Sequence, residues 1–142
     1  MTHPRMFDPD DPVLGRVRAL ALALPGAAEK VSHGRPAFHT TKVFAYYGGS
    51  RKVGSEWVQH PESVVLFGDL AGQAALRARA DAWVPGYLGA YGWTGVDLDD
   101  DVDWDELAEL VEESYRATAP RRLVAELDRR GAPGDGAPGL PR

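Results

Sequence analysis

Apolar positions recur along this chain with two different periods, and the change of period marks its elements. Val13, Val17, Leu20, Ala21 and Leu24 fall at helical spacing. Asp10 or Asp11 can cap that helix, Pro12 suits its first position and Pro25-Gly26 stops it, which predicts a helix over 11–24. Gly34 and Pro36 then exclude a helix. Residues 37–40 can open a strand, and 42–47 are rich in strand formers. Gly48-Gly49-Ser50-Arg51-Lys52 predicts a hairpin loop, 53–59 a half-buried strand, 60–63 a second turn and 64–67 a short buried strand. Asp69 can cap a second helix through Leu70, Ala74 and Leu76. A short strand at 83–85 and a longer one at 92–98 follow. Asp103, with Glu106 three residues on, forms a capping-box-like start. Leu107, Leu110, Val111, Ser114 and Tyr115 mark one face of that last long helix, and Pro120 separates it from 121–130. The order predicts an α+β fold: a two-layer sandwich, an antiparallel sheet with helices on one face, arranged α-β-β-β-α-β-β-α. It occupies a single domain over 1–130. Residues 131–142, rich in Gly and Pro, are expected to be a disordered tail.

Composition narrows the class. The 142 residues are 44% apolar, enough for an independent core. No apolar run reaches the ~18 residues of a membrane span. The start lacks the apolar stretch of a secretory signal. Cysteine is absent, which excludes disulfides, thiolate metal sites and cysteine nucleophiles. These counts fit a cytoplasmic protein with no membrane partner. The net charge of −5 is unevenly spread: residues 97–113 hold ten acids and no base, and the rest is slightly basic.

Motif chemistry is sparse. There is no phosphate loop, dinucleotide fingerprint, nucleophile elbow or zincin histidine pair. The acidic run from Asp97 to Asp105 invites calcium, but neither register tested puts Gly at the sixth position of the loop. No metal and no cofactor are implied, and no catalytic residue is assigned. Lys42, Arg51 and Lys52 flank or occupy the expected hairpin beside Tyr46, Tyr47 and Trp57, a basic and aromatic mixture that can engage phosphates and bases. Arg121 and Arg122 add a second basic concentration. His33, in a Gly-Arg-Pro turn, and Tyr87 and Trp93, around a glycine-rich loop, are the candidates for a ligand pocket. Trp93 also fits simple strand packing.

Several short pieces in this order resemble the MmcQ/YjbR-like family. They are Leu24-Pro25-Gly26, His33-Gly34-Arg35-Pro36-Ala37-Phe38, Lys42-Val43-Phe44-Ala45, Gly92-Trp93-Thr94-Gly95-Val96-Asp97-Leu98, Ser114-Tyr115 and Pro120-Arg121-Arg122-Leu123. They span roughly 13–127. The resemblance implies a two-layer α/β sandwich akin to secretion chaperones, a bacterial source, a proposed DNA-binding role through a double-wing arrangement, and no catalytic motif. Three readings stand at this point. One is a DNA-binding or regulatory domain, with Arg35, Lys42, Arg51, Lys52, Arg121 and Arg122 as candidate contacts. The second is an adaptor or small-ligand module using the sheet face or the loop from Tyr87 to Trp93. The third is an enzyme centred on His33.

Overall fold

Asp11 opens the first helix: its carboxylate accepts from the Val13 N–H at 2.9 Å, and Pro12 occupies the first helical position. The computed structural model describes residues 7–130. α1 (Pro12–Leu22) buries Leu14, Val17 and Ala21 on one stripe, and the chain leaves it through Gly26 at φ +70.

The strands that follow number four before the next helix, one more than the sequence pattern predicts. β1 (Ala28–Ser32) and β2 (Arg35–His39) are joined by His33-Gly34, both at positive φ (53 and 83), the geometry a two-residue type I′ hairpin requires. β1 is an edge strand with little buried, so it carries no alternating apolar signal. β3 (Val43–Val53) and β4 (Glu56–Phe67) meet at Gly54-Ser55. The hairpin tip therefore lies beyond Gly48–Lys52, which belong to β3. Residues 60–63 do not turn. They form a bulge in a continuous β4, where the register steps two residues on β3 (Tyr47 to Gly49) against four on β4 (Val64 to His60). Pro61, which has no N–H for a ladder, is accommodated there.

α2 (Leu70–Arg77) starts at Asp69, whose carboxylate accepts from Gly72 N–H at 2.8 Å. β5 (Ala82–Trp83), a 3-10 turn (Leu88–Tyr91) and β6 (Trp93–Asp97) follow. α3 (Trp104–Thr118) is capped by Asp103, which accepts from the N–H groups of Asp105 and Glu106. Glu106 does not complete the box; it pairs with Arg79 at 2.9 Å. α4 (Arg121–Arg130) is a separate helix after Pro120, as the proline predicts. The Gly/Pro-rich stretch expected as a tail from 131 lies outside the described residues. None of the described helices is long and apolar enough to cross a membrane.

The six strands are ordered β1-β2-β3-β4-β6-β5, every pair antiparallel. One face is buried against the helices. Between Phe38 and His39 the β2–β3 register slips, leaving Phe44 as an extra residue on β3. Phe44 and Ala45 are both fully buried, and Phe44 meets Tyr115 of α3 edge-on at 5.4 Å. Ser114, also fully buried, accepts from the Phe67 N–H and donates to the Phe44 carbonyl, so a helix hydroxyl bridges the two central strands where their ladder ends. Tyr115 donates to the Pro25 carbonyl at 2.6 Å, tying α3 to the end of α1. Tyr47 donates to Asp11 at 2.6 Å, and burial, then that carboxylate, raises its pKa well above the ordinary value of 10.0.

Removing the Ser114 hydroxyl strands a backbone donor and acceptor in the core. Ser114→Ala should lower the unfolding free energy by about 1–3 kcal/mol in urea titration. A change under about 0.5 kcal/mol, the scale of surface substitutions, would show that the bridge is not needed.

Candidate functional site

The sheet face turned from the helices is built on one row of cross-strand partners: Ala37, Tyr46, Val65, Gly95 and Trp83. Gly95 has no side chain, and the Trp83 indole lies in the space; a Cβ there would come within 2.1 Å of the ring. The far edge of the indole reaches Gly49. The His60 ring stacks on it at 4.1 Å and 12°, held by a 2.8 Å hydrogen bond to Asp97. This aromatic stack covers one part of the face.

Beside it lies a groove of about 450 Å³, a size that suits a small organic molecule. Tyr46, Gly48, Gly49 and Val65 form its floor. Ser32 at the end of β1 and His33 of the following turn stand on one side and residues 85–88 on the other. Arg35 enters from β2. Its guanidinium lies over Gly48, where a Cβ would meet Nη1 at 2.5 Å, and Nη2 donates to the Gln59 side-chain oxygen. Arg18, Arg79, Arg116 and Arg130 each hold a carboxylate. Among the described residues, none lies within ion-pair distance of Arg35. Burial lowers the Arg35 pKa by stripping water from the charge, yet a guanidinium stays protonated in proteins. A half-buried fork with only neutral partners has the charge and geometry to take a carboxylate or phosphate. Tyr46 is half-buried beside it, and burial raises its pKa, so the phenol is neutral at physiological pH.

Backbone strain concentrates at the same place. Among the described residues, only His33 and Tyr87 are non-glycine with positive φ, and both line the groove. The hairpin accounts for His33. Tyr87, at φ 60 and ψ −59, is the centre of a γ-turn in which the Leu88 N–H donates to the Gly86 carbonyl at 2.6 Å. Such a conformation costs about 1–3 kcal/mol and persists only where the surroundings impose it. They do so here. The Gly86 N–H donates to the Ser50 carbonyl at 3.0 Å, the Trp57 ring occupies the space beside Gly86, and Tyr87 packs on Trp57 at 5.6 Å. From α2, Arg77 donates to the carbonyls of Gly89 and Trp93. The loop is thus fastened at both ends above the groove, with Tyr87 largely exposed.

The family model for YjbR matches residues 22–117, about two-thirds of the chain. The chain belongs to the YjbR family. The crystal structure of Deinococcus radiodurans protein DR2400, which carries a DUF419 domain, is similar in fold, with 19% identity, a TM-score of 0.53, and coverage of 91% of this chain and 95% of that one. No curated protein matches the sequence. The YjbR match ends at residue 117, before α4, and takes in the whole groove and its loop.

Of the residues singled out by sequence, Arg35, His33 and Tyr87 meet at this groove. Trp93 does not reach it. It is half-buried in a neighbouring depression with Tyr46, Phe67 and Lys42. Lys42 ends the β2–β3 connection, roughly 30 Å along β3 from Arg51 at the usual strand rise. Arg51 and Lys52 are exposed on the distal arm of β3, and Lys52 sits over the Trp57 ring at 5.3 Å. Arg121 and Arg122 are exposed in the first turn of α4, whose Leu123 packs by Gly26 in the helical layer. The six candidate cations therefore fall into separate groups. Sequence reading placed Tyr46 beside the basic hairpin rather than in a pocket, and did not pick out Gly48, Gly49 and Gly86 as parts of a site. The signal was present in Gly48-Gly49, but a glycine pair reads as a turn before it reads as a floor.

Gly95→Ala should drive a methyl into the Trp83 indole, costing about 1–3 kcal/mol and changing the near-ultraviolet circular dichroism of tryptophan. Unchanged stability and spectrum would mean that Trp83 does not rest on Gly95.

Proposed function

We propose that the chain is a binding module for a small organic anion, held in the groove with its negative group on Arg35 and its apolar body on Tyr46, Val65 and Leu88. The observation that carries this reading is the half-buried Arg35 guanidinium, which has no carboxylate partner among the described residues and sits in a mainly apolar groove. A guanidinium gives two parallel donors to a carboxylate, and low polarity around it strengthens them. The loop strain at Tyr87 supports the same reading, since strained backbone collects at sites that hold ligands. His33 and Ser32 stand at the rim as polar groups that can add hydrogen bonds to a bound anion.

The test is calorimetry with a panel of aliphatic and aromatic carboxylates and phosphate monoesters. Arg35→Gln should weaken any hit at least tenfold, the value of losing a charged hydrogen bond. The same change should leave thermal stability of the free protein within a few degrees, because no ion pair is broken. If no member of the panel binds, or if Arg35→Gln binds as well as the parent, the reading fails.

A DNA-binding reading draws on one observation, the exposed arm of β3 and β4 that carries Arg51, Lys52 and Trp57. Asp97 and the acidic turn after it lie at the base of this arm, through His60 and Glu62. Two phosphate contacts give a log–log salt slope of about −1.8 for duplex DNA. Arg51→Ala with Lys52→Ala should remove that slope in fluorescence anisotropy and leave groove binding intact. Absence of binding at low salt with ~100 μM protein, near the weak end of non-specific affinity, would end this reading.

A further inference from the structure

The groove does not end at Tyr46. The Tyr46 ring lines the groove on one side and, on the other, a second cavity of about 410 Å³ whose lining includes Val43, Phe67, Trp93 and Ala117. Trp93 is wedged there, edge-on to Tyr46 at 5.2 Å and to Phe67 at 5.7 Å, which fixes its ring without covering it. The strand register places the two ends. Arg35 is two residues from the Ala37–Tyr46–Val65–Gly95 row in one direction, and Trp93 is two residues from it in the other, three strands away. At ordinary strand rise and spacing the two Cα atoms are about 20 Å apart, with the Tyr46 row between them.

We infer that the two cavities form one elongated site, and that the ligand class is a long-chain monocarboxylic acid, its carboxylate on Arg35 and its apolar tail passing Tyr46 to Trp93. The inference rests on the anion-binding reading above and names its ligand. Three features select this chemistry. The single guanidinium matches one negative charge. Between the two ends the path runs over Tyr46, Val65, Phe67 and Trp93, with polar side chains at the Arg35 end (Ser32, His33 and Ser50) and at the far rim (Lys42 and Thr118), so a nucleotide base would find few edge partners along its length. A peptide C-terminus would look for free strand backbone beside the groove, but the Ser50 carbonyl already accepts from Gly86.

The test measures dissociation constants of hexanoate, octanoate, decanoate and dodecanoate, below their micellar concentrations, on the full chain. Affinity should rise about fourfold for each added CH₂ through dodecanoate. Arg35→Gln should weaken all four acids by a similar factor. Trp93→Leu should weaken only the longer acids. Ala117→Asp, at an exposed position on α3 where folding is little affected, should do the same, which keeps the result readable if the Trp93 variant unfolds. A plateau at octanoate in the parent, or loss of short and long acids alike on changing Ala117, would overturn the elongated site while leaving the anion groove standing. Failure of every acid, with another anion binding through Arg35, would overturn the ligand class. Tight binding of long acids that ignores Arg35→Gln would overturn both readings, because it would mark adsorption to apolar surface.

Discussion

The Ser114 hydroxyl stands between two strands and completes what their own backbones do not. The slip at Phe38 leaves Phe44 as an added residue in β3, so its carbonyl no longer meets a strand partner in phase, and Phe67 N–H closes β4 at the same level. A buried amide and carbonyl left alone would be costly. Supplying both partners from α3 fixes that helix against β3 and β4 in translation and rotation. Its neighbour Tyr115 then falls on Phe44 and reaches the Pro25 carbonyl, and Val111 and Leu107 follow one and two turns earlier. The helical layer is positioned from this point.

Because all the helices take one face, the opposite face has to manage its own apolar row. It does so by removing side chains under aromatic rings. Gly95 and Gly49 leave room for Trp83, and Gly86 leaves room for Trp57. The stack of His60 on Trp83 closes one part, and the loop at 85–88 bridges to Ser50 over another. What remains is concave, mostly apolar and faced by Arg35. A surface that first exists because a sandwich has only two layers becomes a place where a charge can be kept half dry.

Much of this was legible in the chain. The caps at Asp11, Asp69 and Asp103, the stripe from Leu107 to Tyr115 and the break at Pro120 are local effects, decided within a few residues, and the sequence carries them directly. β1 was not legible, because an exposed edge strand has no buried alternation to show. The continuity of β4 through Pro61 was hidden, since proline reads as an interruption when its partner strand is unknown. Arg35, His33 and Tyr87 were visible as residues worth weighing, but their meeting was not. It depends on a γ-turn at Tyr87 and on a register between β2 and β3, both set by tertiary contacts. Lys42 and Arg51 show the converse: close in sequence to one supposed tip, they lie at opposite ends of one long strand.

The bulge at Pro61 has a mechanical side. Opposite Gly48 the ladder between β3 and β4 loses its regular rungs, so the pairing resists twist less there than in the regular stretches on either side. If the strand pair bends there, residues 49–59 tilt together as an arm hinged at the sheet margin. Gly49 and Ser50 belong both to that arm and to the boundary of the groove, and the Ser50–Gly86 hydrogen bond yokes the overhead loop to it. A few degrees of tilt in the arm would therefore change the aperture of the groove while the helical layer stays still.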